Sequence, residues 1–274
     1  MKKNNNKDDD VVSQLFTLSG RVAVVTGGSR GIGAAIAYRL AQAGADVAIV
    51  HSGHETPSGL MRSIEKLGRT VANLPDSDVS KDSVARRVVR EVIEKFGYVD
   101  ILVNNAGIYP HSLPERTTEA EWDRVLDTNL KGAFLCSREA ARHMAKARRG
   151  GRIVNMASID AFIPEHDFAH YDASKAGLVG LTRSLALSWG RYRINVNAVA
   201  PGLVDTGNLR EVAGPRAIAF ERFSPLGGIP KPEDVANLVL FLCSEAASKI
   251  TGQTIVIDSG VSLSGYTTLL DHES

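Results

Sequence analysis

The sequence contains few cysteines: Cys136 and Cys243 are the only two among its 274 residues. Two isolated cysteines indicate neither a disulfide framework nor a zinc site, so we expect no metal centre. Both lie in apolar helical patterns, which predicts buried thiols. Such cysteine usage is typical of a reducing compartment, and we therefore expect a cytoplasmic protein.

The sequence also lacks a long hydrophobic run and an excess of either charge. No apolar run approaches the ~20 residues of a membrane helix, so we expect no membrane-spanning segment. The 32 Lys and Arg residues nearly balance the 31 Asp and Glu residues, which gives no reason to expect a nucleic acid or an anionic membrane as a partner. Residues 1–16 have no hydrophobic signal core, and they are predicted to be a mobile polar tail rather than a targeting peptide.

Short apolar runs alternate with helical patterns along most of the chain. Runs such as Arg21–Val25 and Asp46–Val50 are rich in β-branched residues and predict buried strands. Strands that alternate with helices predict an α/β fold, in which a mostly parallel sheet is covered on both faces. The chain is long enough to form the core of one large domain of this kind.

A glycine-rich turn joins the first predicted strand to the first helical pattern. It reads TGGSRGIG over residues 26–33, with the glycine spacing G-x-x-x-G-x-G. A turn between a strand and a helix presents free backbone N–H groups and the positive end of the helix dipole, which suits a pyrophosphate. Glycines also let a phosphate approach the backbone closely. The turn therefore predicts a nucleotide site, although its spacing differs from the better-known G-x-G-x-x-G.

Small and polar residues follow the ends of other predicted strands. Residues 104–107 read NNAG and are suited to lining a ligand crevice, although an ordinary turn is the alternative. His51 and Ser52 follow the second strand, where a ribose-binding acid is typical and none is present. Asp78 and Val79 follow the third strand, at a place where an adenine ring could rest.

Tyr171 and Lys175 are four residues apart at the start of a largely apolar helical pattern. On a helix, residues i and i+4 share a face, so a phenol and an ammonium group project into the same space. A free phenol has a pKa of about 10, and a nearby cation lowers that pKa toward the range useful for proton transfer. A Tyr-x-x-x-Lys pair alone is more often a surface pair, so a prediction of catalysis depends on the rest of the chain.

Ser158 and Asn129 are two further candidates. Ser158 follows a predicted strand at 151–156 and precedes Tyr171 closely enough for a loop to bring the two side chains together. Asn129 lies among apolar neighbours, inside the second of two helical patterns at 119–147. Such an amide either caps a local kink or orders a water molecule.

Taken together, these motifs resemble the classical short-chain dehydrogenase/reductase family, and most closely its reductases of 3-oxoacyl thioesters and its sugar or polyol dehydrogenases. The resemblance covers roughly residues 17–262 and leaves tails at 1–16 and 263–274. It implies a single-domain, Rossmann-type α/β fold with a doubly wound, seven-stranded parallel sheet and helices on both faces. The motifs that carry it are T-G-x-x-x-G-x-G at 26–33, N-N-A-G at 104–107, Asn129, Ser158, Tyr171-x-x-x-Lys175 and Pro201-Gly202.

The resemblance implies a role for each catalytic candidate. Tyr171 is expected to exchange a proton with the carbonyl or alcohol oxygen, and Ser158 to hydrogen-bond that oxygen. Lys175 is expected to lower the pKa of Tyr171 and to bind the nicotinamide ribose, and Asn129 to hold a water of the proton relay. The cofactor-binding residues implied by the resemblance and by the glycine turn are Gly27, Ser29, Arg30, Gly31, Ile32, Gly33, His51, Ser52, Asp78, Val79, Asn105, Ala106, Gly107, Tyr171, Lys175, Pro201, Gly202, Val204 and Thr206.

The residues after the second strand favour NADP(H) as the cofactor, with NAD(H) as the alternative. An acid at that place accepts a hydrogen bond from the ribose 2′-hydroxyl of NAD, whereas the 2′-phosphate of NADP is repelled by an acid and attracted by an arginine. Arg30 in the glycine turn can reach across to such a phosphate, and Ser52 can donate a hydrogen bond to it.

The implied function is NAD(P)(H)-dependent transfer of a hydride between nicotinamide and a carbonyl or secondary alcohol. The expected substrate is a 3-oxoacyl thioester or another small ketone, and a sugar or polyol is the alternative. A non-catalytic dinucleotide-binding regulator is the alternative of another class, although a regulator has no need of intact Ser158, Tyr171 and Lys175. The irregular segment 203–228 is read as a lid or an insert that decides between substrates. The resemblance also implies a homotetramer. The helices at 119–147 and 169–189 carry more apolar surface than one sheet face should bury, which predicts a contact there, and the strand at 254–258 is expected to make a second contact.

Overall fold

Within the described residues, 5–207 and 214–264 of this computed structural model, seven parallel strands form one sheet. The strands are β1 (Val22–Thr26), β2 (Asp46–Val50), β3 (Val71–Leu74), β4 (Ile101–Asn104), β5 (Gly151–Met156), β6 (Ile194–Pro201) and β7 (Thr254–Ile257). Their order is β3-β2-β1-β4-β5-β6-β7, with every neighbouring pair parallel. This is a doubly wound sheet of the Rossmann type, and it confirms the predicted fold class.

The residues of the central strands are mostly buried from both sides of the sheet. Strand β1 reads VAVVT and is buried at every position, which is typical of a parallel strand covered by helices on both faces. The register pairs Thr26 with Val50 on one side and with Asn104 on the other. The carboxyl ends of β1, β2 and β4 therefore meet at one edge of the sheet, and the predicted site residues follow these ends directly.

Helices cover both faces of the sheet. The helices of the described residues are α1 (Asn5–Phe16), α2 (Gly31–Gln42), α3 (Ser58–Lys66), α4 (Asp82–Phe96), α5 (Glu119–Leu126), α6 (Gly132–Ala147), α7 (Ala169–Trp189), α8 (Pro215–Arg222) and α9 (Pro232–Cys243). On one face α2 and α9 contribute residues such as Leu40 and Val239 to the core. On the other face α4 and α6 contribute residues such as Val92 and Leu135.

Two segments contain more helix than the sequence predicted. Asn5–Phe16, expected to be part of a mobile polar tail, forms α1, because Val11, Val12 and Leu15 recur at helical spacing. The segment 203–228, expected to be irregular, contains α8, which begins with a proline as helices often do. Residues 208–213 of that segment and 265–274 of the predicted C-terminal tail lie outside the described residues. The domain boundaries after 16 and 262 stay a prediction.

The two helical patterns predicted over residues 119–147 are separated by a π-helical segment. Helix α5 ends at Leu126, helix α6 begins at Gly132, and Asp127–Lys131 forms a wider π turn between them. Asn129 lies in this turn and not inside the second helix, so that part of the prediction is wrong. Single π turns inside helices are frequent at functional sites.

The two cysteines are buried and unpaired, as their apolar surroundings predict. Burial raises the pKa of both the Cys136 and the Cys243 thiol to about 12, so both stay protonated near neutral pH. Within residues 5–207 and 214–264, none of the helices has the length and apolar character needed to cross a membrane.

Candidate active site

The glycine turn after β1 has a backbone that only glycine adopts without strain. Gly27 and Gly31 have φ angles of +63° and +54°, in the left-handed region. A Cβ atom at Gly33 would lie 2.1 Å from the Gly27 carbonyl oxygen, so no larger residue fits there. The turn therefore leaves the amino end of α2 uncovered by side chains, and this arrangement fits a pyrophosphate group.

The turn at residues 105–107 is fixed against the glycine turn by hydrogen bonds. The Asn105 side chain donates to the carbonyl oxygens of Thr26 at 3.0 Å and Gly27 at 3.1 Å. The Thr26 hydroxyl accepts bonds from the backbone N–H groups of Asn105 and Ala106, both at 3.0 Å. These hydrogen bonds join the turns that follow β1 and β4 into one surface beside the predicted nucleotide site.

Gly107, at the end of the 105–107 turn, lies beside two of the predicted catalytic residues. A Cβ atom at Gly107 would lie 3.3 Å from Asn129 Oδ1 and 3.7 Å from Lys175 Nζ. The lysine ammonium group thus lies directly beside the 105–107 turn, and the structure brings the nucleotide motif and the Tyr-x-x-x-Lys motif together. Tyr171 and Lys175 are therefore not an isolated surface pair.

Helix α7 places Tyr171 and Lys175 on the same face, as their spacing predicts. The Lys175 ammonium nitrogen lies 5.3 Å from the centre of the Tyr171 ring. Lys175 is buried, and it donates a hydrogen bond of 2.6 Å to the carbonyl oxygen of Met156 at the end of β5. The phenol ring itself is packed by Phe168 at 5.5 Å and Tyr109 at 6.3 Å, measured between ring centres.

Asn129, in the π turn, is hydrogen-bonded both to the loop after β4 and to helix α7. Its Oδ1 accepts a bond from the Ile108 N–H at 2.8 Å, and its Nδ2 donates to the Ile108 carbonyl oxygen at 2.9 Å. The same Nδ2 donates to Ser174 Oγ at 3.1 Å, and Ser174 donates to the Tyr171 carbonyl oxygen at 2.7 Å. The fully buried amide therefore ties the loop after β4 to the first turn of α7.

Ser158 lies one residue past Ala157 at the carboxyl end of β5, where it caps a short 3₁₀ turn over Ile159–Ala161. Its Oγ accepts a bond of 3.2 Å from the Asp160 N–H. A hydrogen bond between the Ser158 hydroxyl and the phenol acts to lower the pKa of Tyr171. Ser158 and Tyr171 therefore converge on one point, as the sequence predicted.

The electrostatic balance of the site differs from the expectation that Lys175 lowers the pKa of Tyr171. Burial raises the pKa of Tyr171 above its ordinary value, and the Asp160 carboxylate raises it further. Burial also lowers the pKa of Lys175 to about 8, against the opposing influence of Asp160. The phenol is thus held in its protonated form, because desolvation and a neighbouring negative charge outweigh the opposing effect of Ser158.

Asp160 is a site residue that the sequence analysis missed. Burial raises the pKa of its carboxyl to about 6, with Glu165 and Asp172 adding to the effect and Ser158 and Lys175 opposing it. An acid two residues after Ser158, just past the end of a strand, was the available signal. The sequence alone did not show that the 3₁₀ turn places this carboxyl beside the predicted catalytic residues.

The residues predicted to hold the adenosine end differ in exposure. His51 is buried, and its Nε2 is hydrogen-bonded to Asn73 Oδ1 at 2.8 Å, whereas Ser52 and Arg30 are exposed. Asp78 is exposed and its carboxylate accepts a bond of 3.1 Å from the backbone of Ser80. The two positions directly after β2, His51 and Ser52, therefore carry no carboxylate.

The segment after β6 closes the other side of the crevice. A Cβ atom at Gly31 would lie 3.5 Å from the Thr206 methyl carbon, so this segment reaches the glycine turn. Val204 is buried, and a Cβ at Gly202 would lie 2.6 Å from Phe220 of α8. The predicted residues after β6 thus border the same crevice as the glycine turn.

The chain is similar to known proteins over most of its length. A family model described as enoyl-(acyl carrier protein) reductase matches residues 27–262. The 3β-hydroxysteroid dehydrogenase 1 of Eggerthella lenta is 41% identical over 249 residues, which cover 90% of this chain and 95% of that protein. A 3-oxoacyl-(acyl-carrier-protein) reductase of Aquifex aeolicus is 39% identical, covering 89% of this chain and 98% of that protein.

Solved structures lead to the same family. The gluconate 5-dehydrogenase of Burkholderia cenocepacia, solved in complex with NADP and tartrate, has a TM-score of 0.86 and 30% identity. It covers 93% of this chain and 100% of its own. A short-chain alcohol dehydrogenase structure from Sinorhizobium meliloti has a TM-score of 0.87 and 41% identity over 92% of this chain and 100% of its own. The chain belongs to the short-chain dehydrogenase/reductase family and is an NAD(P)-dependent oxidoreductase.

Proposed function

We propose that this oxidoreductase interconverts a ketone and a secondary alcohol, with Tyr171 as the general acid and base. The observation that carries the proposal is the convergence of Ser158, Tyr171 and Lys175 beside the glycine turn. A protonated phenol can give its proton to a carbonyl oxygen as negative charge develops there. The Ser158 hydroxyl would donate a second hydrogen bond to the same oxygen and stabilise that charge.

A bound nicotinamide dinucleotide would supply or accept the hydride. Gly27, Gly31 and Gly33 would hold its pyrophosphate, and Lys175 would bind the nicotinamide ribose. Asn129 would hold a relay water beside Lys175. Because both amide hydrogens of Asn129 are already engaged, such a water would donate to the remaining lone pair on Oδ1.

NADP(H) is the proposed cofactor, with NAD(H) as the alternative. Support comes from the two residues directly after β2, because Ser52 is exposed and neither His51 nor Ser52 carries a carboxylate that would repel a 2′-phosphate. The exposed guanidinium of Arg30 in the glycine turn is free to move toward such a phosphate and to bind it through two hydrogen bonds.

A 3-oxoacyl thioester or another small ketone is the proposed substrate, and a sugar or polyol is the alternative. The relatives support a range of hydroxyl and carbonyl compounds, because their names include a hydroxysteroid, 3-oxoacyl thioesters and a sugar acid. The exposed edges of Tyr109, Phe162 and Ile163 beside the catalytic residues favour a substrate with an apolar part.

A cytoplasmic homotetramer is the proposed form of the protein. Free, buried cysteines agree with a reducing compartment. A surface groove of about 630 Å³ lies between α7 on one side and the π turn with the adjoining ends of α5 and α6 on the other, and we call it the groove between α6 and α7. Most of its lining is apolar or small, and the lining residues are Leu126, Asp127, Leu130, Lys131, Phe134, Gly177, Gly180, Leu181 and Ser184. An apolar groove between long helices is suited to packing against the same helices of a second copy.

A turnover screen of carbonyl and alcohol compounds with both cofactors tests the proposal. The panel includes 3-oxoacyl thioesters, small ketones, sugars and polyols. We expect reduction of at least one ketone, detected as loss of the reduced nicotinamide absorbance. Binding of the cofactor without turnover of any compound would favour the regulator instead.

A further inference from the structure

Asp160 brings a carboxyl group to the centre of the proposed site. It is the middle residue of the 3₁₀ turn that follows Ser158. Its backbone N–H donates to Ser158 Oγ at 3.2 Å, and the Ser158 side chain acts to lower the pKa of its carboxyl. The same carboxylate interacts electrostatically with Tyr171 and Lys175. A substrate oxygen bound by Ser158 and Tyr171 would therefore lie next to this acid.

The charge of Asp160 is not offset by a surplus of cations around it. Residues 157–175 carry four carboxyl groups, one lysine and no arginine. The lysine, Lys175, is buried and donates to the Met156 carbonyl oxygen. The imidazole of His111, on the facing loop, lies 3.0 Å from the carboxylate of Asp167 and is partnered by it. Among residues 157–175 the carboxyl groups therefore outnumber the one lysine by four to one.

Apolar surfaces complete the rim of the site. Tyr109 is 64% exposed and stands edge-on to the Tyr171 ring. Phe162 and Ile163 directly follow the turn that carries Asp160, and they are 50% and 46% exposed. The side chains of Phe162 and Ile163 suit an uncharged carbon skeleton, since they offer a carboxylate no hydrogen-bond donor, and the one donor among the three residues is the Tyr109 hydroxyl.

We propose that Asp160 is a specificity-determining residue, which favours substrates that are uncharged beside the reacting carbon and disfavours those that carry a carboxylate there. The proposal rests on the proposed function, in which Ser158 and Tyr171 bind the reacting oxygen. Two negative charges a few ångströms apart in a partly buried site repel each other strongly, because little water lies between them to screen the interaction.

The test compares a matched pair of ketones, ethyl acetoacetate and acetoacetate, which differ in the charge beside the ketone. The ratio of their kcat/KM values is measured for the wild type, for Asp160→Asn and for Glu65→Gln. Glu65 is an exposed acid at the end of α3, at the edge of the sheet away from the site. We expect the wild type to favour the ester and Asp160→Asn to reduce that preference by about tenfold, mainly through a lower KM for acetoacetate. Glu65→Gln should leave the ratio unchanged.

Two results would overturn the inference. One is a wild type with a higher kcat/KM for acetoacetate than for the ester. The other is an Asp160→Asn ratio equal to that of the wild type, which includes the case in which the variant loses kcat/KM equally on both ketones. If neither ketone is reduced, the pair is tested as competing inhibitors of the best substrate in the panel, and the same ratios apply to the inhibition constants. Absence of turnover with every carbonyl compound would contradict the proposed function, on which this inference rests, and would thus be distinguishable from a failure of the charge effect alone.

Discussion

The Asp160 carboxyl is held in a place that disfavours its charged form. Its pKa of about 6 in the folded chain lies above the value near 4 of an unfolded aspartate. The folded state therefore binds this proton more tightly, and the ionised carboxylate opposes folding at neutral pH. Glu165, Asp172 and Lys175 are the other charged groups that act on it. An acid kept against such a penalty is a candidate for function.

Asp160→Asn is expected to stabilise the protein near neutral pH. The penalty is fully present above the folded pKa, falls as pH drops through about 6, and is gone near pH 4. The variant should gain about 1 kcal/mol, or about 2 °C in the thermal midpoint, near pH 7.5, after allowance for solvent screening of a partly exposed group. Thermal midpoints are compared near pH 7.5 and near pH 5, with Glu65→Gln as the control. A variant that is less stable than the wild type at both pH values would contradict this account.

Arg30 is expected to decide between the two cofactors. A guanidinium that binds the 2′-phosphate through charge-assisted hydrogen bonds should contribute about ten- to a hundredfold to kcat/KM for NADPH and little for NADH. Values of kcat/KM for both cofactors are compared in the wild type, in Arg30→Ala and in Arg124→Ala, an exposed arginine of α5. A wild type that prefers NADH, or an Arg30→Ala variant with an unchanged cofactor ratio, would show that the 2′ position is read by other groups.

At the scale of elements, the π turn Asp127–Lys131 depends on its one buried amide. Asn129 satisfies both backbone groups of Ile108, and no aliphatic side chain can replace these bonds. Asn129→Leu should lower the free energy of unfolding by about 2–3 kcal/mol and also reduce kcat, because the loop after β4 and the start of α7 lose their common anchor. Denaturant unfolding measures the first effect.

Thr128→Ala, a truncation in the same turn, is the control for Asn129→Leu. It should cost less than about 1 kcal/mol, since it leaves the bonds to Ile108 in place. If Asn129→Leu and Thr128→Ala were equally stable, the amide would not be the anchor of the turn.

Local chemistry explains why some elements could be predicted from the sequence and others could not. Strand β1 and the glycine turn follow from β-branched runs and from glycine spacing, which act over a few neighbouring residues. The π turn could not be predicted, because Asn129 is held by a loop that lies far from it in the chain. Helix α8 had a signal in Gly214-Pro215, a common start of a helix, but weak periodicity hid it.

The site follows the same division between local and distant causes. The types and order of Ser158, Tyr171 and Lys175 could be predicted, because a motif keeps its spacing whatever surrounds it. The raised pKa of Tyr171 could not, because it results from burial and from a carboxylate eleven positions earlier in the chain. Sequence spacing does not reveal which charges share a partly buried space.

At the scale of the whole molecule, the groove between α6 and α7 is expected to be covered by a second copy of the chain. Light scattering at micromolar concentration should give about four times the chain mass of 29.4 kDa. Gly180 offers a sharp test, because it is exposed on α7 and a Cβ there would meet no atom within 4 Å. Gly180→Glu should therefore fold normally and yet dissociate the assembly.

Gly59→Glu provides the matched control for assembly. Gly59 is also an exposed helical glycine with open space around its Cβ position, but it lies on α3 and outside the groove. The Gly59→Glu variant should keep the tetramer mass. A wild type that is a stable monomer, or a Gly180→Glu variant that stays tetrameric, would contradict assembly through this groove.

The most direct measurement of the central claim is the turnover of Tyr171→Phe beside its cofactor affinity. Phenylalanine keeps the ring that packs against Phe168 and Tyr109, but it has no proton to give. With a ketone that the wild type reduces, kcat should fall by about 10²- to 10⁴-fold or more, while the dissociation constant for the cofactor stays close to that of the wild type. Tyr192→Phe, which removes a hydroxyl just after α7, should change neither value. Turnover of Tyr171→Phe close to the wild-type rate would contradict the assignment of Tyr171 as the acid and base.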